Sequence, residues 1–340
     1  MEDARQRVVS PRGGSLLGPE EAARLIRTGE WLAIGADEAV MKRLPEGNWI
    51  GGTIPYFMGQ DGGETSREKV HVTPLPSLGR GKPWIKRYTV NDLNRICADG
   101  PDHGYTLLIL PAMTEVHEYY ARNAPEFEDM FLKPVLGWVA GIHLDDMGHA
   151  SPAAVDGSRG EFCHDQAVAL HVPLPEDQVA EIGIVNIFEQ DDGDVIRFPK
   201  ASFKVGGCTV NGQPDNFAEY LKRRNVDQRL PLVADYCGSM INVSVKAVDD
   251  ASRSVELYAP VFPDVEYQLA RPVKDYVHAF EQALPNEGRD AACSFNCVLN
   301  FLYSELEGRR TSGFNGPMTF GEVAYQLLNQ TMVYMSVRSM

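Results

Sequence analysis

The sequence predicts an α+β protein, with mixed β-sheets flanked by helices in a layered, two-part architecture. Three observations carry this. The 340 residues exceed the ~100–200 of a single domain. Hydrophobic residues at 44% and charged residues at 23% lie in the globular range and exclude collagen-like, disordered and coiled-coil classes. Helix-period segments alternate with strand-length apolar runs in the first half and give way to strands from residue 161 onward. The first part is expected over residues 15–175 and the second over 176–340.

In chain order, PEEAARLIRT at 19–28 opens with Pro and two acids and sets Ala22, Leu25 and Ile26 on one face before Gly29, which predicts a helix. Short apolar runs at 31–34 and 49–54 read as strands around a turn at PEGN, and KVHVTPL and WIKRYTV as two more. A helix at 91–98 precedes YTLLILP, a run apolar enough to be buried on both faces. The helix TEVHEYYARNAPEFEDMFLK, interrupted at Pro125, then leads to the strand PVLGWVAGI, so residues 105–142 predict a crossover unit with parallel strands. Beyond it come EFCHDQAVALHVPL, QVAEIGIVNIFEQ and DVIRFP as strands, and KAVDDASRSVELYAP as a hairpin. No internal repeat stands out.

The formal charge is −15 and no Lys/Arg run exceeds a pair, so a phosphate backbone would be repelled and nucleic acid is not expected as a partner. No stretch reaches the ~18 apolar residues of a membrane span, and MEDARQRVVSPRGG is charged where a signal peptide is apolar. A soluble, cytoplasmic protein without a membrane partner is therefore expected. The six cysteines, at 97, 163, 208, 237, 293 and 297, are expected to be reduced thiols, and the C-x3-C of Cys293 and Cys297 is neither a redox nor a zinc-ribbon spacing.

The C-terminal stretch CSFNCVLNFLYSELEG, followed by GFNGPMTFGEVAYQLLNQTMVYMSV, resembles the closing segments of the FIST family. Phe295, Cys297 and Val298 match its cysteine-bearing strand, Gly313, Phe314, Gly321 and Glu322 its G-F…G-E segment, and Asn329 and Thr331 its final N-x-T strand. Asn211, Gly212, Pro214, Tyr220 and Leu221 match an earlier turn and helix, and NWIGGTIPYFMG resembles the Gly-rich turn of the N-terminal part. The chain departs from the pattern at Asn300, where the family usually has Arg, and in the Ile-Pro-Tyr after Thr53. The resemblance implies a sensory module, in bacteria attached to or encoded near signalling proteins, with amino acids or other small metabolites as ligands and, in some members, haem. With no kinase, cyclase or DNA-binding module in this sequence, its signal would pass by contact to a separate signalling protein. The ligand-binding residues it implies here are Gly51, Gly52, Thr53, Tyr56, Cys297, Asn300, Gly321, Glu322, Asn329 and Thr331.

Read as chemistry, Gly51, Gly52 and Thr53 either let a backbone approach a ligand or form a glycine bulge at a strand end. Glu322 with Asn329, Gln330 and Thr331 could receive the ammonium and carboxylate of a metabolite, or Glu322 could serve as a helix first-turn residue and Asn329 as a helix C-cap. Cys297 is a nucleophile or ligand only if a neighbour lowers its pKa, and otherwise simply packs. His143, Asp145, His149 and His164 form the most metal-like cluster, suited to zinc or iron, on what reads equally as a solvated loop. His117 and His171 are the candidates for a haem axial ligand. Neither a G-x-S-x-G elbow nor a catalytic carboxylate pair occurs. A metal- or cysteine-dependent enzyme, or a haem-based gas sensor, is the alternative to the binding module.

Overall fold

The computed structural model describes residues 13–76, 81–236, 239–284, 291–311 and 313–340. Cys237 lies outside them; the other five cysteines are free and buried.

The chain opens with β1 (Ser15–Leu17) and α1 (Pro19–Ile26), which has Pro at its start, acids in its first turn, and Ala22, Ala23 and Ile26 buried. Then come β2 (Leu32–Ala36), α2 (Glu38–Met41), β3 (Trp49–Thr53), the hairpin of β4 (Tyr56–Gly59) and β5 (Gly62–Thr65), and β6 (Val70–Pro74). The connection between β2 and β3 is not the simple turn expected. Asp37 caps α2 by accepting the Ala39 N–H at 3.0 Å, and the helix carries the chain over to a parallel β3, Leu32 facing Trp49 and Ala36 facing Thr53.

A second succession follows with β7 (Trp84–Tyr88), a 3-10 turn at Leu93–Arg95, β8 (Gly104–Pro111), α3 (Glu115–Asn123), β9 (Val135–Ala140), the hairpin of β10 (Ala154–Asp156) and β11 (Glu161–Cys163), and β12 (Ala167–Pro173). As expected of the crossover unit, β8 and β9 are parallel, and Thr114 caps α3.

The third succession begins at β13 (Gln178–Val185) and is interrupted by an insertion of β14 (Ile196–Arg197), β15 (Ser202–Val205), β16 (Gly207–Val210), β17 (Gln213–Asn216), α4 (Phe217–Arg223), β18 (Leu232–Tyr236), β19 (Ser239–Val243), β20 (Val245–Asp249), β21 (Ser254–Val261) and β22 (Tyr267–Leu269). It resumes with α5 (Tyr276–Ala283), β23 (Cys293–Cys297), α6 (Val298–Tyr303), β24 (Gly316–Thr319), the hairpin of β25 (Glu322–Ala324) and β26 (Gln326–Leu328), and β27 (Met332–Ser339).

Three sheets have the same order and polarity: β1-β6-β2-β3-β10-β11, β7-β12-β8-β9-β25-β26 and β13-β27-β23-β24-β4-β5. In each, an edge strand and a returning strand flank a parallel pair, and the last two strands are a hairpin lent by another unit. The first unit gives its hairpin to the third sheet, the second to the first, and the third to the second. The chain thus contains a threefold repeat of topology that its sequence does not display, and its strands do not divide into two independent parts near residue 175. That boundary falls where the third unit begins.

Residues of all three units, among them Ala33, Ile50, Leu107, Trp138, Phe295 and Val333, share one buried cluster. The inserted strands form, among the described residues, a six-stranded sheet and the three-stranded sheet β15-β21-β20, packed through Phe217, Leu232 and Val255 on the cluster that holds α3. The architecture is α+β with mixed and antiparallel sheets and few helices. Among the described residues no helix is long and apolar enough to cross a membrane.

Candidate functional site

In the third unit the parallel strands β23 and β24 end side by side, Cys297 opposite Thr319. Cys297 stands at the N-cap position of α6 without a side-chain capping bond, and Glu322 opens β25. Two expectations from sequence, a helix first-turn Glu322 and a helix C-cap Asn329, are thus replaced by a strand residue and a loop residue between β26 and β27.

Glu322 is fully buried. Its carboxyl accepts the Thr331 hydroxyl at 2.8 Å, the Thr331 N–H at 3.3 Å and the Thr319 hydroxyl at 3.3 Å. Burial raises its pKa well above the usual carboxylate range, and these hydrogen bonds lower it by less. Burial likewise raises the Cys297 thiol, the Glu322 carboxyl adds to that, and backbone N–H groups of Gln330, Leu299 and Asn300 oppose it. Cys297 is therefore a protonated, packed thiol rather than a nucleophile.

Next to this pair lies a layer of amides. Asn300 donates from Nδ2 to Asn296 Oδ1 at 2.9 Å and to the Thr331 carbonyl at 3.4 Å, and Asn296 Nδ2 donates to the Tyr276 hydroxyl at 3.4 Å. Asn329 Oδ1 accepts the Ser244 N–H at 2.9 Å, and Asn242 donates to the carbonyls of Asn329 and Gln330. Gln330 Nε2 reaches the Arg229 carbonyl at 3.0 Å. Two buried atoms of this layer, Asn300 Oδ1 and Asn329 Nδ2, have no partner.

Above the amides opens a cleft of about 480 Å³ floored by Tyr276, Asn300 and Gln330. Its rim carries Arg229, Lys274 and Arg309 against Asp227, Asp275 and Glu305. Arg229 pairs with Asp227 at 2.6 Å and Arg309 with Asp275 at 3.7 Å. Both signs of charge thus stand over a buried hydrogen-bonding floor.

Of the residues singled out from sequence, Cys297, Asn300, Glu322, Asn329 and Thr331 converge here, and among them Asn300 lines the cleft. Glu322, being enclosed, stands behind the floor and is no direct ammonium ligand. Gly321, at φ +155°, makes the turn from β24 into β25, its carbonyl accepting the Val139 N–H at 2.8 Å.

Gly51, Gly52 and Thr53 lie elsewhere, in β3. A Cβ on Gly52 would stand 2.6 Å from Trp138 Nε1 and 2.9 Å from Ile109, so this glycine admits a neighbouring sheet, not a ligand. Thr53 Oγ1 accepts the Ala153 N–H at 2.9 Å. Tyr56 accepts the Leu144 N–H at 3.0 Å and stacks on His143 at 5.6 Å.

The metal cluster does not assemble: among the described residues no three His, Cys, Asp or Glu side chains are grouped to hold an ion. His143 Nδ1 accepts the Asp145 N–H at 3.2 Å, Asp146 is taken by Arg67 at 2.7 Å, and His164 is held by the Pro152 carbonyl at 3.0 Å, so local loop bonding disperses the donors. His149 lies on the same loop and joins no such group. For haem, His171 has both ring nitrogens engaged, by Thr106 at 2.8 Å and Tyr88 at 2.9 Å, which leaves none for an axial bond. His117 has neither engaged.

Tyr276, Asn296, Ser244 and Asn242 were not singled out from sequence, whereas Gln330 was, beside Asn329 and Thr331. The signal present was polar residues inside apolar strands, as in SFNCV and INVSV.

Fold and site together define an α+β protein of three hairpin-exchanging units with a polar cleft beside the third parallel pair. Residues 17–338 match the family described as Family of unknown function (DUF6976), and the chain belongs to that family. A search of the curated proteins finds no match.

Proposed function

We propose that this protein is a small-ligand-binding sensory module of FIST type, and that its ligand is a free amino acid or similarly zwitterionic metabolite held in the cleft over Asn300. The observation that carries the reading is Asn300 Oδ1, a buried acceptor without a partner at the floor of a cleft whose rim presents both charges. An unpartnered buried acceptor costs about 1–3 kcal/mol, which a ligand ammonium would offset. The rim cations Lys274 and Arg309 suit its carboxylate. The FIST-like motif residues Cys297, Glu322 and Thr331 support the reading by position, since they lie where β23 passes into α6, the helix that carries Asn300. In this reading the output passes by contact to a separate signalling protein.

Isothermal titration of the protein with a panel of amino acids, and with their amides and decarboxylated amines, tests it. One or more zwitterions should bind, the singly charged analogues should bind at least roughly tenfold more weakly, and Asn300→Leu should abolish binding while the fold persists. No binding by any zwitterion, or binding undiminished in Asn300→Leu, would sink the proposal.

A further inference from the structure

A second cavity, of about 280 Å³, lies between the second unit and the inserted three-stranded sheet. Its wall is apolar where the first cleft is charged: Met113, Leu144, Met147, Phe203, Tyr258 and Phe320 line it. It sits at the C-terminal end of the parallel β8 and β9 strands, where parallel sheets commonly receive ligands. Met113, at the turn from β8 into α3, has φ +60° and is 49% exposed. A left-handed, solvent-facing methionine is strained and unprotected, a combination that recurs at ligand clamps.

His117 lines the same cavity from α3. It is 8% exposed, and neither Nδ1 nor Nε2 has a hydrogen-bond partner. Unmet buried nitrogens are destabilising; His171, by contrast, has both ring nitrogens engaged, and His71 leaves one of its two unmet. Burial lowers the His117 pKa to about 4, so at neutral pH the ring offers one donor and one acceptor and no charge. Both carboxylates at the mouth are paired: Lys204 and Lys246 share Glu256 at 3.6 Å, and Glu118 is taken by Arg122 at 3.3 Å. A cation gains nothing by entering. Aromatic and thioether walls favour an aromatic body, and the space is about twice that of a ~150 Å³ cavity known to accept benzene.

We propose that this cavity binds a small neutral aromatic molecule with one hydroxyl or ring N–H, of the phenol or indole class, hydrogen-bonded to His117. The inference is independent of the zwitterion cleft, which shares no lining residue with it.

The test is titration of the full chain and of His117→Phe with phenol, indole and toluene, together with ring ¹⁵N shifts of His117 in the wild type. Phenol and indole should bind at least roughly tenfold more tightly than toluene, the preference should collapse in H117F, and the His117 ring nitrogens should shift on saturation. The proposal is overturned by no binding of phenol or indole up to their solubility, by equal affinity for toluene and phenol, or by unchanged phenol affinity in H117F. Should H117F fail to fold, unmoved wild-type ring shifts at saturating phenol overturn it equally.

Discussion

At Glu322, burial and hydrogen bonding pull the carboxyl in opposite directions, and burial wins. Its native pKa lies above the unfolded value, so above about pH 4.5 the native state holds a proton that the unfolded state has released. Stability is fully present below that pH and is lost as pH rises toward the native pKa, by about 1.4 kcal/mol per pH unit. Glu322→Gln keeps the shape and removes the titration. Its Tm should match wild type near pH 5 and exceed it increasingly toward pH 8; an equal loss at both would mean that the carboxylate is charged in the fold. Cys297, Asn300, Glu322, Asn329 and Thr331 came to notice through the resemblance of the C-terminal stretch to the FIST segments. Tyr276 and Asn242 did not, since only tertiary structure brings residue 242 to residue 329.

At the scale of elements, the parallel β8 and β9 pair was readable from its long apolar run and capped helix, whereas α2 was not: four residues are too few to display a helical period. Gly51, Gly52 and Thr53 in β3 show the complementary limit. Glycines in a strand announce a close approach, but the sequence does not say whether a ligand or Trp138 makes it. Gly52→Ala should drive a methyl into the Trp138 indole and lower stability by about 1–3 kcal/mol, read as a drop in denaturant midpoint with m unchanged. A variant as stable as wild type would show that the two sheets separate easily.

For the whole molecule, the exchanged hairpins tie each sheet to another unit. A fragment of residues 15–175 lacks β25 and β26 to complete its second sheet, and its own β4 and β5 hairpin loses the strand it pairs with, Gly316 facing Met58. Unpaired edges of that kind aggregate. The fragment should show neither cooperative melting nor dispersed amide resonances, while the full chain should unfold in one transition at equal midpoint by fluorescence and circular dichroism. A fragment that melts cooperatively would mean that the lent hairpins are accessories. The repeat escaped the sequence because the three units share connectivity and not residues: at the N-cap of the helix after the first parallel strand, Asp37 and Thr114 accept a backbone N–H with their side chains, whereas Cys297 makes no such bond.

The lending of hairpins also sets an order of events during synthesis. The first sheet has all its strands once residue 163 has left the ribosome, whereas the second waits for residue 328 and the third for residue 339. Between residues 163 and 328 the second sheet must remain open, its parallel pair exposed to chaperones. Residues 293–339, which also bring Glu322, Asn329 and Thr331, then close the second and third sheets within roughly a few seconds at ordinary rates of elongation.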